Sequence, residues 1–290
     1  ELIATLDGKH SWKGSPQLTC MGAWPDSTLD FGLRTKPDSP CFLGNPVGTV
    51  AVVLWGDSHA ATLAPAVSAA AAEASLAGGS YTKGGCLPVP YKGLHELTGD
   101  SECHVFAERT VHQIEASNAK VVLLAGRWPT LLEGGYGVDL RFAPRPSNKA
   151  KQKRAKALAE GLRRLKDRMK RSGKQVILIH PVPEMGANVP SRLGVAQNLG
   201  LPLPKGPDRA LVDQRQKFTR SVLEKGLGLT GSSIVDPVEI LCSTRCRLSD
   251  GLVPLYFDSN HLSEKGAMQM KSRIRESLVQ ASHSDAVAKP

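Results

Sequence analysis

Thr49-Val50-Ala51-Val52-Val53-Leu54-Trp55-Gly56-Asp57-Ser58-His59 is the stretch that decides the fold. Its first seven residues form a short, continuous apolar run rich in β-branched side chains, the pattern of a strand buried on both faces. Gly56-Asp57 breaks the run sharply. The Ala-rich stretch from Ala60 to Ala77, with Pro65 near its first turn, is a strong helix former. The unit reads as strand, turn, helix.

Similar strands recur at residues 121–125, 175–179 and 233–236, with helical patterns between them. One helix is expected over 104–117, and another carries the stripe Leu158, Leu162, Leu165 and Met169. This alternation predicts an α/β fold, a three-layer α/β/α sandwich around a mostly parallel sheet. Ser263 is placed to cap a closing helix that runs to about Ala281. The segment from Pro181 to Asp208 holds six prolines and is expected to be a long irregular loop beside the substrate cleft. Residues 1–48, rich in Pro, Gly, Ser and Asp, read as an irregular linker or lead-in, which leaves 49–290 for the folded domain.

With 290 residues, 41% of them hydrophobic, the chain can bury a substantial core. It contains neither the ~18 successive apolar residues of a membrane-spanning helix nor the pattern of a signal peptide. Starting at Glu1, it suits a mature form or a soluble piece of a longer membrane protein. The six cysteines fall into local couples: Cys20 with Cys41, Cys86 with Cys103, and Cys242 with Cys246. None forms the C-x-x-C unit of structural zinc, so disulfides are favoured over metal, implying an oxidising extracytoplasmic compartment such as the periplasm.

The net charge of +10 is concentrated in one place. Residues 145–174 carry 13 Lys/Arg against Glu160 and Asp167, a local +11, so the rest is nearly neutral. Either these cations are the solvated face of the helix bearing the Leu158 stripe, or they dock an anionic glycan, lipid headgroup or membrane partner. The cysteines and the lack of any reader motif argue against nucleic acid.

Two short motifs carry the chemistry. Gly56-Asp57-Ser58-His59 lies where the first strand becomes the first helix, at the sheet edge where α/β proteins bind ligands. Ser58 there is either a nucleophile beside helix-terminal N–H groups or, like Asp57, a simple cap. Near the other end, Asp258-Ser259-Asn260-His261 offers a carboxylate and an imidazole three residues apart. A Ser hydroxyl becomes a useful nucleophile when a His takes its proton, and a carboxylate fixes the tautomer of that His.

GDSH after the first strand and D-x-x-H before the last helix, in that order, resemble the SGNH-hydrolase superfamily. More specifically they resemble the SGNH domains fused to acyltransferase-3 membrane proteins. Lys83-Gly84-Gly85-Cys86-Leu87-Pro88 and Val121 through Trp128 add weaker support, and the resemblance spans roughly residues 49–281. It implies that Ser58 attacks an acyl carbonyl, His261 is general base and then acid, and Asp258 orients His261. It further implies that the Ser58 N–H and the glycine block, Gly85 or Gly84, donate to the oxyanion. The family's next block normally adds an Asn donor, but this chain has Gly126-Arg127-Trp128 there. Arg127 is then a substitute donor, a substrate holder or a surface salt-bridge partner, and Trp128 reads as core. His59 reads as a supporting hydrogen-bond partner of the motif, not a second base. His95, His104, His112 and His180 lack the pattern of a metal centre, and no metal or cofactor is expected beyond an acyl donor.

The resemblance implies O-acyl transfer, O-acetyl foremost, to hydroxyls of a bacterial cell-surface glycan such as lipopolysaccharide O-antigen. Its partners would be the acyl donor, the glycan acceptor and an upstream acyltransferase-3 transmembrane domain that tethers it to the inner membrane. A carbohydrate acetylesterase and a non-catalytic glycan-binding module are the competing readings.

Overall fold

The computed structural model describes residue 20 and residues 34–39, 41–135 and 145–284. The strands are β1 (Phe42–Gly44), β2 (Thr49–Gly56), β3 (Leu76–Thr82), β4 (Val121–Ala125), β5 (Gln175–Ile179) and β6 (Ile234–Val235). They form one sheet in the order β1-β3-β2-β4-β5-β6, parallel except for β1. A small hairpin, β7 (Ser249–Asp250) with β8 (Val253–Pro254), stands apart.

The helices are α1 (Ser58–Glu73), α2 (Lys92–Thr98), α3 (Ser101–Ala116), α4 (Pro129–Glu133) and α5 (Asn148–Arg171), followed by α6 (Val189–Asn198), α7 (Arg209–Leu227), α8 (Pro237–Leu241), α9 (Glu264–Met268) and α10 (Lys271–Ser284). Successive β2 side chains enter opposite cores. Val52 and Leu54 join Leu63 and Val67 of α1 and Ile274 of α10. Val53 and Trp55 join Phe106 of α3 and Leu158, Leu162 and Leu165 of α5. The period of two with both faces buried is what makes the apolar run continuous, and it yields the expected three layers.

β3 falls within and just beyond the Ala-rich stretch read as helix; α1 ends at Glu73. Its sequence, Leu-Ala-Gly-Gly-Ser-Tyr-Thr, hides a strand because glycine is depleted in strands. The glycines are there for close approach: a Cβ at Gly78 would sit 1.9 Å from the Val52 carbonyl oxygen, and one at Gly79 2.9 Å from the Arg34 Cβ. The sheet also reaches into the segment read as lead-in, since β1 pairs with β3. Arg34 is buried there, its guanidinium 4.3 Å from the Tyr81 ring and donating to the Ser80 carbonyl, and burial pulls its pKa down to about 10.

The 181–208 segment is not irregular throughout. It contains α6, capped by the Asn188 side chain accepting from Ser191 N–H. The closing helix divides into α9, with Ser263 as its cap, and α10. All three cysteine couples are disulfides: Cys20–Cys41, Cys86–Cys103 and Cys242–Cys246. Among the described residues no helix is long and apolar enough to cross a membrane.

Candidate active site

Ser58 is the first residue of α1, at the carboxyl end of β2. Asp57 is the cap: its Oδ1 accepts the His59 N–H at 2.7 Å, so capping falls to Asp57 and leaves the Ser58 hydroxyl for another partner. That partner is His261. Its Nε2 lies 2.9 Å from Ser58 Oγ, and its Nδ1 lies 2.6 Å from Asp258 Oδ2. Two residues separated by 203 positions are thus in hydrogen-bond contact.

Local structure fixes the Asp258–His261 turn. Asp258 Oδ1 accepts the N–H groups of Asn260 and His261 at 2.8 and 2.7 Å, and Phe257 stacks on the His261 ring with centroids 5.2 Å apart. The 181–189 segment braces it from outside, Met185 N–H donating to Ser259 O and Val189 N–H to Asp258 O. Burial pushes the Asp258 pKa up, but the hydrogen bonds from the His261 side chain and the two backbone N–H groups outweigh it and hold the carboxyl below its ordinary range. Asp258 therefore stays ionised at neutral pH, as a carboxylate that orients an imidazole must.

A family model described as "SGNH domain (fused to AT3 domains)" matches residues 25–276. The chain belongs to the SGNH domain family. Among solved structures, this SGNH domain is similar to the periplasmic domain of the Salmonella ser. Paratyphi A lipopolysaccharide acetyltransferase. The identity is 16% and the TM-score 0.63, over 94% of this chain and 97% of that one, a likeness of fold. No curated protein matches.

In this SGNH domain the turn after β3 lies on the same sheet edge as Ser58. Lys83 N–H donates to Gly56 O, two residues before the serine, and Gly84 and Gly85 are exposed in that turn, Gly85 with φ +75°. The Cys86–Cys103 disulfide ties the turn to α3. In the loop after β4, which carries Gly126-Arg127-Trp128 and no Asn, a Cβ added at Gly126 would lie 2.8 Å from Leu87 Cδ2 and 3.4 Å from Asp57 Oδ2. The next residue serves the site through its backbone, as Arg127 N–H donates to Asp57 Oδ2 at 2.8 Å. Asp57 thereby ties the Ser58 turn to the loop after β4, and burial pushes its pKa up to about 6 despite those two N–H donors.

The Arg127 guanidinium engages Glu184, with Nε 2.8 Å from Oε1. A salt bridge is what is seen, but it is buried instead of lying at the surface as the sequence reading had it. Glu184 is 3% exposed and also accepts from Arg215, while Arg127 and Arg215 donate to the Gly135 and Gly134 carbonyls. Trp128 is fully buried in the second core, as expected. Sequence reading missed Glu184, Arg215 and Asn260; a carboxylate at the carboxyl end of β5, amid Pro and Val, was the signal for the first. His180 lies buried between two carboxylates. It meets Glu224 and Asp236 at 3.1 and 3.5 Å, carboxylates brought from α7 and the end of β6, but Arg220 also holds Asp236. The one cluster of metal-ligand atoms among the described residues, Cys86, Asp100 and Cys103, has its sulfurs joined as a disulfide and so offers no thiolate.

Proposed function

We propose that this SGNH domain transfers a short acyl group, acetyl foremost, onto hydroxyls of a bacterial cell-surface glycan through an acyl-enzyme on Ser58. The observation that carries the proposal is the continuous chain Ser58 Oγ, His261, Asp258, at 2.9 and 2.6 Å. His261 Nε2 takes the Ser58 proton as Oγ attacks the acyl carbonyl, and Asp258 stabilises the imidazolium that forms. The negative charge then develops on the carbonyl oxygen. The N–H of Ser58 opens α1 and takes no acceptor among the described residues, so it can donate to that oxygen, with the exposed Gly84-Gly85 turn as the second donor.

The tetrahedral intermediate collapses as His261 returns the proton to the leaving oxygen. A sugar hydroxyl next gives its proton to His261 and attacks the acyl-enzyme, regenerating Ser58. No cofactor enters. The family's fusion to AT3 domains supports an upstream membrane partner that delivers the acyl donor, and the disulfides support an extracytoplasmic site. The name of the similar Salmonella structure supports lipopolysaccharide as the acceptor class.

The test uses a chromogenic acetyl ester with and without added oligosaccharide. Ser58-dependent turnover in which acetyl moves to sugar faster than to water supports transfer. Release to water alone makes the domain an esterase, and no Ser58-dependent turnover makes it a binding module.

A further inference from the structure

Two side-chain hydrogen bonds cross from α1 to the Asp258–His261 turn: His261 Nε2 to Ser58 Oγ, and His59 Nε2 to Asn260 Oδ1 at 2.9 Å. The first cannot persist through the reaction. Once Ser58 is acylated its oxygen has no proton to donate, and His261 must turn to the acceptor hydroxyl. The second involves no reacting atom.

The second contact is also built with care. Asn260 is 6% exposed and its Nδ2 donates to Ser259 Oγ at 3.0 Å, so its oxygen faces His59. His59 must then carry its proton on Nε2. That leaves Nδ1 buried without a hydrogen-bond partner among the described residues, a defect that an alanine, the residue filling much of α1, would avoid. The His59 ring is 2% exposed and its centroid is 4.7 Å from that of His261. Burial, reinforced by the nearby His261 and Arg127, holds its pKa well below the ordinary value, so it acts as a neutral donor beside the imidazolium formed in each half-reaction.

The links close a ring. Asp57 Oδ1 accepts from His59 N, His59 Nε2 donates to Asn260, Asn260 N donates to Asp258, Asp258 holds His261, and His261 meets Ser58. We infer that His59 is a positioning residue which, through Asn260, keeps the Asp258–His261 turn registered on α1 while Ser58 is acylated, so that its contribution falls chiefly on deacylation. The inference rests on the acyl-enzyme reading above.

The experiment compares wild type with His59→Ala, His59→Gln, Asn260→Ala and the His59→Ala/Asn260→Ala double variant on an activated acetyl ester. Acylation and deacylation are measured separately by burst kinetics and by intact mass of the quenched enzyme, with thermal melts as the folding control. His59→Ala should deacylate about 10–100-fold more slowly, with acylation changed far less, because a displacement of about 1 Å is enough for such a loss. Acetyl-enzyme should therefore accumulate. Glutamine can present an N–H at the position of the imidazole Nε2, so His59→Gln should restore most of the rate. Asn260→Ala should behave like His59→Ala, and the double variant should be no worse than either; if His59→Ala fails to fold, Asn260→Ala and His59→Gln still read the effect.

Deacylation at the wild-type rate in the folded alanine variants, or equal slowing of both half-reactions with no rescue by glutamine, would overturn the inference alone. Absence of any Ser58-dependent acetyl-enzyme in wild type would overturn the acyl-enzyme reading and this inference with it.

Discussion

The turn around Ser58 and the helix α5 are the two most conspicuous charged features of the chain, and they use charge in opposite ways. At the turn, Asp57 is 2% exposed, and burial pushes its pKa up to about 6 although it accepts two backbone N–H groups. On α5, the hydrogen bonds of Arg163 and Arg164 hold the solvent-exposed Glu160 at about 2. One carboxylate is difficult to ionise and holds the backbone of two loops; the other ionises freely and holds two surface side chains. A charge acquires leverage where water is excluded, so each exposed charge on α5 has less leverage than the buried Asp57.

α5 resolves the ambiguity in its own sequence only in part. Leu158, Leu162, Leu165 and Met169 are buried, and several cations are paired: Lys151 with Glu133, Arg163 and Arg164 with Glu160, Arg168 with Glu108 and Glu115. Lys149, Lys153, Lys156 and Lys170 are exposed and have no acidic partner among the described residues. They are the positions from which an anionic partner would be felt.

The contrast predicts a ranking. Ser58→Ala should lower acyl turnover by about 10⁴-fold or more while leaving the melting temperature near wild type, and His261→Ala should be comparably inactive. The double variant should be no worse than Ser58→Ala, because the residues act as a unit; near wild-type turnover by Ser58→Ala would remove the nucleophile assignment. Next comes Glu184→Ala, which leaves Arg127 and Arg215 facing each other without their shared carboxylate. A loss of about 3–5 kcal/mol in urea unfolding is expected, and a loss below about 1 kcal/mol would show that this buried cluster behaves like a surface pair.

Asp57 supplies the third test. Its folded-state pKa is raised, so between about pH 4 and pH 6 the native protein holds a proton that the unfolded chain has released. Its contribution to stability therefore falls as pH rises across that window and is level above it, by up to about 3 kcal/mol. Urea melts from pH 4 to 7 should show Asp57→Asn with a flatter slope than wild type; equal slopes would place the carboxyl in a wetter site. The smallest effects belong to α5. Glu160→Gln should leave the urea midpoint close to wild type, and reversing Lys149, Lys153, Lys156 and Lys170 to Glu should leave turnover of a small ester unchanged while weakening association with anionic glycan or vesicles in a salt-sensitive way. Unchanged association would make the stripe a solvated face.

How far each feature was legible follows from where its information resides. β2, β4 and β5 were readable because a strand buried on both faces must be apolar at every position, which no neighbour can disguise. β3 was not, because its glycines answer to the Val52 carbonyl and the Arg34 side chain, neither of which lies next to it in the chain. α6 hid among prolines because one of them occupies its first turn, where a missing N–H costs nothing. Ser58, Asp258 and His261 were legible as residue types in local motifs, since proton transfer demands a hydroxyl, an imidazole and a carboxylate whatever the fold.

The sequence by itself determined the layers and the chemical inventory of the site, because each of these is written in local pattern or in side-chain chemistry, while it favoured disulfides without fixing their pairing. Only the tertiary structure decided that Arg127 turns to a buried Glu184, that Asp57 is desolvated, and that His59 reaches Asn260 across 201 positions. Those outcomes depend on burial and on partners brought together by the sheet, and a linear chain specifies neither until it has folded.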